Sequence, residues 1–298
     1  MTAVLSDFTC TVGTGGNMKP LEQMNILDDF MAGCLTGHRK YGEAASRYIL
    51  SCILNREIGK LNVVTQKYLI ADNPELHAIR MDVYLGEEDE DGQAGEIFDI
   101  GPDKNDNPKD VAELPKRARF YHARLDGKNI KAGSSDYSVL RNVVVIFIMP
   151  YDPFGLNRMV YTVGRSCVEV PEMPYDDGAR TIFLYTRGTE GNPTEELRQL
   201  LRYMENSVEE NACTKELQEL HKMVKAVKQD REVVLAYMKS YEIEERIRRE
   251  GEALGKINGM IIACREFGKS DEEIAEYLHS RLDITREQAQ KAVSGVPV

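Results

Sequence analysis

The chain has 298 residues, 42% of them hydrophobic, and a formal net charge of −11. This length allows one large domain with an appendage, or two modest domains. The acidic balance argues against a general polyanion binder, although a local basic patch can act within an acidic protein. No apolar run reaches the roughly 18 to 20 residues that a membrane-spanning helix needs, so we expect no membrane segment.

The N-terminus and the cysteines bear on the cellular location. Residues 1–17 are rich in glycine and threonine and lack the pattern of a secretory signal, so we expect a flexible leader. The six cysteines include no Cys-x-x-Cys pair, and their irregular spacing does not indicate a disulfide framework or a zinc site. Free thiols are typical of the reducing cytoplasm, and we expect a cytoplasmic protein.

The predicted elements begin with helices and continue with strands. An interrupted helical pattern covers residues 21–37, and a clearer amphipathic helix covers 42–58. Strands are predicted over 61–70, 78–85 and 95–100. The last two strands flank a short acidic loop with an Asp-Gly turn signal, so we expect them to form an antiparallel hairpin.

The next part of the chain completes an α/β pattern. Apolar residues at helical spacing predict a helix over 111–126, with Pro115 in its first turn. Residues 142–149, "NVVVIFIM", are an unbroken apolar run, which is typical of a buried central strand. Shorter strands are predicted over 159–163 and 180–185.

The composition changes after residue 192, and residues 193–298 read as a charged helical region. Its helix starts include Thr194 as a cap and two capping boxes, Ser270 with Glu273 and Thr285 with Gln288. Heptad-like spacing over 215–247 favours a homodimer formed through these C-terminal helices. A helix that packs on its own domain explains the same spacing.

The predicted hairpin contains a candidate metal site. Asp99, position 101 and Asp103 share one face of their strand, because side chains alternate. Asp82 lies on the polar face of the partner strand, and directly opposed Cβ atoms are roughly 4.5–5.5 Å apart. Paired carboxylates can hold Mg²⁺ or Mn²⁺, with Lys104 adding positive charge. Solvated carboxylates at a strand end are the commoner arrangement, so spacing alone leaves both alternatives open.

Several sequence blocks together resemble the PD-(D/E)XK nuclease family transposases, which are related to the Rpn recombination-promoting nucleases. These blocks are "RMDVY", the acidic hairpin, "IFDIxPD", "LPKRARFYHARLD" and "VVVIFIMPYDPFG". The similarity covers roughly residues 18–190, and we expect the nuclease-like domain to span 18–192. The resemblance implies a restriction-endonuclease-like fold, with a central mixed sheet flanked by helices. It also implies Mg²⁺-dependent hydrolysis of DNA phosphodiesters.

The resemblance also assigns roles to individual positions. Asp82 matches the first metal-binding aspartate of the family, and Asp103 matches a polar residue that follows its glutamate. The glutamate position itself is occupied by Gly101, which supplies no ligand. The segment that the family uses to hold the DNA backbone matches Lys116, Arg117 and Arg119, for which a solvated face is the plainer explanation.

The missing carboxylate leaves several functions open. The chain is a degenerate nuclease that still binds DNA, an inactivated variant, or an enzyme in which Asp99 or Asp103 replaces the lost ligand. A different class is a non-catalytic DNA- or protein-binding scaffold that oligomerises through its C-terminal helices. An unrelated α/β enzyme is a further alternative, which no phosphate-binding glycine loop or Gly-x-Ser-x-Gly motif supports.

Overall fold

A computed structural model of the chain describes residues 19–65, 68–69, 79–80, 83–88, 94–130 and 135–295. The leader predicted over residues 1–17 lies outside these ranges. The chain forms two compact units, and the first ends at Val234 while the second begins at Leu235.

The first unit is built on strands β1 (Lys60–Thr65), β4 (Val83–Glu88), β5 (Ala94–Pro102), β6 (Val143–Met149), β7 (Val160–Val163) and β8 (Ala179–Tyr185). They form one sheet in the order β1-β4-β5-β6-β8-β7. β5, β6 and β8 are parallel, whereas β1, β4 and β7 run antiparallel to their neighbours. A separate pair joins β2 (Tyr68–Leu69) to β3 (Ile79–Arg80). The predicted hairpin is confirmed as β4 and β5.

The helices of the first unit are α1 (Asp29–Thr36), α2 (Gly42–Leu54), α3 (Pro108–Asn129), α4 (Glu195–Glu205) and α5 (Lys215–Gln229). Short 3-10 helices cover Leu21–Gln23, Tyr137–Val139 and Glu209–Asn211. α4 and α5 come after residue 193, where a helical region was predicted to begin, yet they belong to the first unit and contact α2 and α1. The mixed α/β architecture with flanking helices is therefore confirmed.

The central strand of the sheet is β6, and all seven of its residues are buried. On one face, Val143 and Val145 pack in a cluster with Leu114 and Leu125 of α3. A strand that is covered on both faces needs apolar side chains at every position. The unbroken run of residues 142–149 therefore predicted its place correctly.

Among the predicted boundaries, the start of α3 and the end of β5 were wrong. α3 begins at Pro108, after Asn107, whose side chain accepts a hydrogen bond of 3.0 Å from the Lys109 amide. Pro115 is thus inside the helix and on its exposed side, because the Asn-Pro start signal lies seven residues earlier. β5 does not end at Ile100 but continues through Pro102, which aligns with Ile148 on β6.

The second unit contains most of α6 (Arg231–Glu266), together with α7 (Asp271–Arg281) and α8 (Arg286–Gly295). Both predicted capping boxes form, at Ser270 and at Thr285. A small core joins the three helices and contains Ile261, Ile274, Leu278, Ala289 and Val293. Within the described ranges, no helix is long and apolar enough to cross a bilayer.

The described residues leave part of the surface of α6 without a close neighbour. Gly251, Gly255 and Gly259 are four residues apart, and a Cβ atom added to any of them would meet nothing within 4 Å. Residues at this spacing lie on neighbouring turns of one helix face. The glycines therefore form an open strip along α6.

Candidate functional site

The candidate site lies at the carboxyl end of β5, on the side of the sheet that α3 covers. Asp99 and Gly101 align with Val145 and Phe147 of β6, whose side chains belong to the core under α3. Aligned residues on neighbouring strands point to the same face of a sheet. Asp99 and Gly101 therefore share this face, with Asp103 just beyond the strand.

Asp103 is engaged by neighbours rather than open to solvent. It is 8% exposed and forms an ion pair with Arg117 of α3. Its second carboxylate oxygen accepts a hydrogen bond of 2.9 Å from the Asn105 amide. Burial acts to lower the pKa of Arg117, but the negative charge of Asp103 and the hydrogen bond to it outweigh burial and raise it.

Aromatic rings surround this ion pair. The guanidinium carbon of Arg117 lies 5.1 Å from the ring centre of Phe147, and the Tyr121 ring centre lies 5.9 Å from that of Phe147. The buried hydroxyl of Tyr151 completes no hydrogen bond of ordinary geometry within the described residues. Burial, and then the charge of Asp103, raises the pKa of Tyr151. The pair therefore sits in a partly buried, aromatic environment, in which Asp103 is buried and Arg117 keeps some exposure to solvent.

Lys104 is directed to a different partner. Its ammonium group forms an ion pair with Asp28, the residue that precedes α1, and Lys19 reaches the same carboxylate at 3.3 Å. Burial acts to raise the pKa of Asp28, but the hydrogen bond from Lys104 and the Asn25 amide lower it. Lys104 thus connects the end of β5 to α1.

The fit of this site to a divalent metal can be judged from its donors. Asp82 lies outside the described residues, Gly101 offers no ligand, and Asp103 is paired with Arg117. Across the described residues, no group of three His, Cys, Asp or Glu side chains is arranged to hold a metal ion. The described residues therefore do not fit Mg²⁺ or Mn²⁺ by themselves, and the roles of Asp82 and Asp99 stay predictions.

The predicted backbone-binding cations separate into two groups. Lys116 and Arg119 are exposed on α3, whereas Arg117 turns inward to Asp103. The sequence contained a signal for this difference. Arg117 follows Leu114 by three residues and precedes Tyr121 by four, so it falls on the apolar stripe of the helix.

Other contacts at the site have no signal in the sequence. Asp28 and Lys104 are 76 residues apart, and their pairing depends on the packing of α1 beside β5. Tyr151 follows β6 and reaches Asp103 only because β5 and β6 are parallel neighbours. Glu43 of α2 accepts a 3.4 Å hydrogen bond from the Leu61 amide of β1.

Comparison of the chain with protein-family models, with curated proteins and with solved structures finds no match.

Proposed function

We propose that this chain has a restriction-endonuclease-like domain of the PD-(D/E)XK type that binds DNA but does not hydrolyse it. The proposal depends mainly on the ion pair between Asp103 and Arg117. In this arrangement an arginine occupies the place of a cation beside the carboxylate, and Gly101 removes the other expected ligand. The hairpin, α3 and the parallel strand β6 follow one another as the resemblance implies.

The binding surface in this proposal is the exposed side of α3. Lys116 and Arg119 project from the helix whose buried side holds Arg117. Phosphate contacts of this kind carry no sequence information, and they release counterions from DNA. Because the net charge is −11, binding confined to a small patch will be weak. Its salt dependence will scale with the few phosphates that the patch contacts.

The binding proposal is tested by measuring duplex DNA affinity across a salt series. The variant Lys116→Gln/Arg119→Gln should lower affinity and reduce the slope of log K against log salt by about two. The control Arg39→Gln/Arg246→Gln removes two exposed charges elsewhere. An equal loss in the control would show that only net charge matters and would contradict the proposal.

The absence of hydrolysis is tested with supercoiled plasmid and Mg²⁺. We expect no cleavage by the natural chain, and cleavage by Gly101→Glu that disappears when Asp82→Ala is added. If the natural chain cleaves the plasmid and Asp82→Ala abolishes this cleavage, Asp99 or Asp103 would instead serve as the second metal ligand. That result would overturn the non-catalytic part of the proposal.

A second candidate function is self-association through α6. Ile243, Ile247 and Leu254 are 40%, 41% and 59% exposed and lie along one side of this helix. Large apolar residues in a row on an exposed helix are typical of a helix–helix interface. Sedimentation equilibrium should show a dimer that Ile243→Glu/Ile247→Glu dissociates, while Glu242→Ala/Arg249→Ala, on the other side, leaves it intact.

A further inference from the structure

A concave surface lies in the first unit, and its lining residues come from outside α3. It is a cleft of about 500 Å³ between the end of β8 and helix α4. This volume falls within the range of small-molecule sites in proteins. Its polar lining includes Arg187, Arg198, Arg202, Glu205, Asn206 and Asn211.

The cleft has more positive than negative charge. Arg187 pairs with Glu205, which also accepts a 2.9 Å hydrogen bond from the Thr186 hydroxyl. The guanidinium groups of Arg198 and Arg202 form no hydrogen bond or ion pair within the described part of the chain. One carboxylate therefore faces three arginines, in a protein whose overall charge is negative.

Helix electrostatics explains only part of this arrangement. Arg202 lies in the last turn of α4, where positive charge is favourable because the helix dipole is negative there. Arg198 lies one turn earlier, and Arg187 comes from the segment after β8. The convergence of all three on one cleft is therefore a tertiary feature that the dipole does not account for.

The wall of the cleft is built by closely packed backbone. A Cβ atom at Gly188 would lie 2.6 Å from the backbone nitrogen and Cα of Met159. Only glycine permits this approach, which holds Arg187 beside the carboxyl edge of β6 and β8. Ligands of open α/β sheets commonly bind outside the carboxyl ends of parallel strands.

We propose that this cleft is a binding site for phosphate groups. Guanidinium groups donate paired hydrogen bonds that match phosphate oxygens. The exposed Asn206 amide adds a neutral donor, while the Asn211 amide donates a 2.9 Å hydrogen bond to the Asn206 carbonyl. Among the described residues that line the cleft, Met159 is the only large apolar residue and none is aromatic, so the cleft offers little to a base or sugar. It recognises the phosphate itself, whether in a free phosphate ester or in a nucleic-acid backbone.

Titration with inorganic phosphate by calorimetry at low ionic strength tests the proposal. Arg198→Gln/Arg202→Gln should weaken binding by about tenfold or more, because charge-assisted hydrogen bonds are lost. Arg198→Lys/Arg202→Lys should recover part of the affinity, since charge remains without paired donors. The control Arg39→Gln/Arg246→Gln should change it by less than about twofold.

A second set of measurements distinguishes the two sources of phosphate and separates this site from α3. A ten-nucleotide oligothymidylate whose affinity falls in Arg198→Gln/Arg202→Gln assigns the cleft to a nucleic-acid backbone. If the loss is confined to inorganic phosphate, the cleft takes free phosphate esters. Lys116→Gln/Arg119→Gln should leave phosphate binding unchanged, whatever its effect on duplex DNA.

Two results would overturn the proposal. One is the absence of phosphate and oligonucleotide binding by the natural chain. The other is binding that the Gln and Lys pairs leave unaltered. Circular dichroism and thermal unfolding of each variant establish that it is folded, and the Lys pair provides the comparison if the Gln pair is unstable.

Discussion

The ends of β5 and β8, at the carboxyl edge of the parallel strands, differ in how their charged side chains are paired. After β5, a buried aspartate is neutralised by Arg117 under aromatic rings. After β8, arginines outnumber carboxylates in an open cleft. An arginine that satisfies a buried acid is part of the fold, whereas an arginine with no acid beside it remains able to meet a ligand.

The largest effect on stability is expected from the removal of Arg117, which tests whether its pairing with Asp103 is part of the fold. Arg117→Ala should lower the free energy of unfolding by about 3 kcal/mol, because it leaves the Asp103 carboxylate buried without its partner. The value is at the low end for such pairs, because the Arg117 side chain is 35% exposed and water can enter. Chemical denaturation monitored by circular dichroism measures the change.

A double variant provides the control for that prediction. Asp103→Asn/Arg117→Met removes both charges and should recover much of the lost stability. If Arg117→Ala is no less stable than the double variant, the ion pair does not stabilise the fold, and Asp103 is available for another role.

The position of Arg117 also shows what the sequence could predict. Local signals identified the buried strand at 142–149, the hairpin and both capping boxes, since each depends on residues near one another in the chain. The same logic separates Arg117 from Lys116, because only Arg117 lies on the apolar stripe of its helix. The cleft was missed because Arg187 and Arg198 meet only after β8 and α4 have packed together.

A substitution at Gly188 should distort the backbone that forms the wall of the cleft. Gly188→Ala should lower the free energy of unfolding by about 2 kcal/mol, because the added Cβ atom forces the Met159 backbone to move. The same variant should weaken phosphate binding, since Arg187 shifts with the wall. Gly164→Ala is the matched control, because a Cβ atom there meets nothing within 4 Å.

The stability of the protein should also depend on pH through His122, a buried residue of α3. His122 is 6% exposed, its ring bonds the Thr181 hydroxyl at 3.0 Å, and burial lowers its pKa from 6.5, with Arg165 adding to the effect. The unfolded chain then binds the proton first, so the free energy of unfolding falls as the pH drops below about 6.5.

Denaturation at several pH values between 7.5 and 5.5 measures this dependence. His122→Gln should flatten it by at most about 1.4 kcal/mol per pH unit. Part of the slope should remain, because burial also lowers the pKa of His221. If His122→Gln leaves the slope unchanged, the His122 ring accepts a proton as readily in the folded state as in the unfolded chain.

The smallest effect on stability is expected where the effect on binding is largest. Arg198→Gln/Arg202→Gln should change the free energy of unfolding by less than about 1 kcal/mol, because these surface groups stabilise no buried partner and only Arg202 interacts favourably with the helix dipole. Thermal unfolding without and with phosphate measures both quantities. If this variant loses as much stability as Arg117→Ala, the arginines of the cleft stabilise the fold in the same way as Arg117 does.

The glycines of α6 have a consequence for cooperativity. Each glycine inside a helix costs about 1 kcal/mol relative to alanine. At Gly251, Gly255 and Gly259 no described residue beyond the helix backbone places an atom within 4 Å of where a Cβ atom would lie, so no close packing offsets this cost. Amide protons in this part of α6 should therefore exchange by local opening, well before those of β6. Probes placed in the two compact units should then report different midpoints, and one melting temperature will not describe the whole chain.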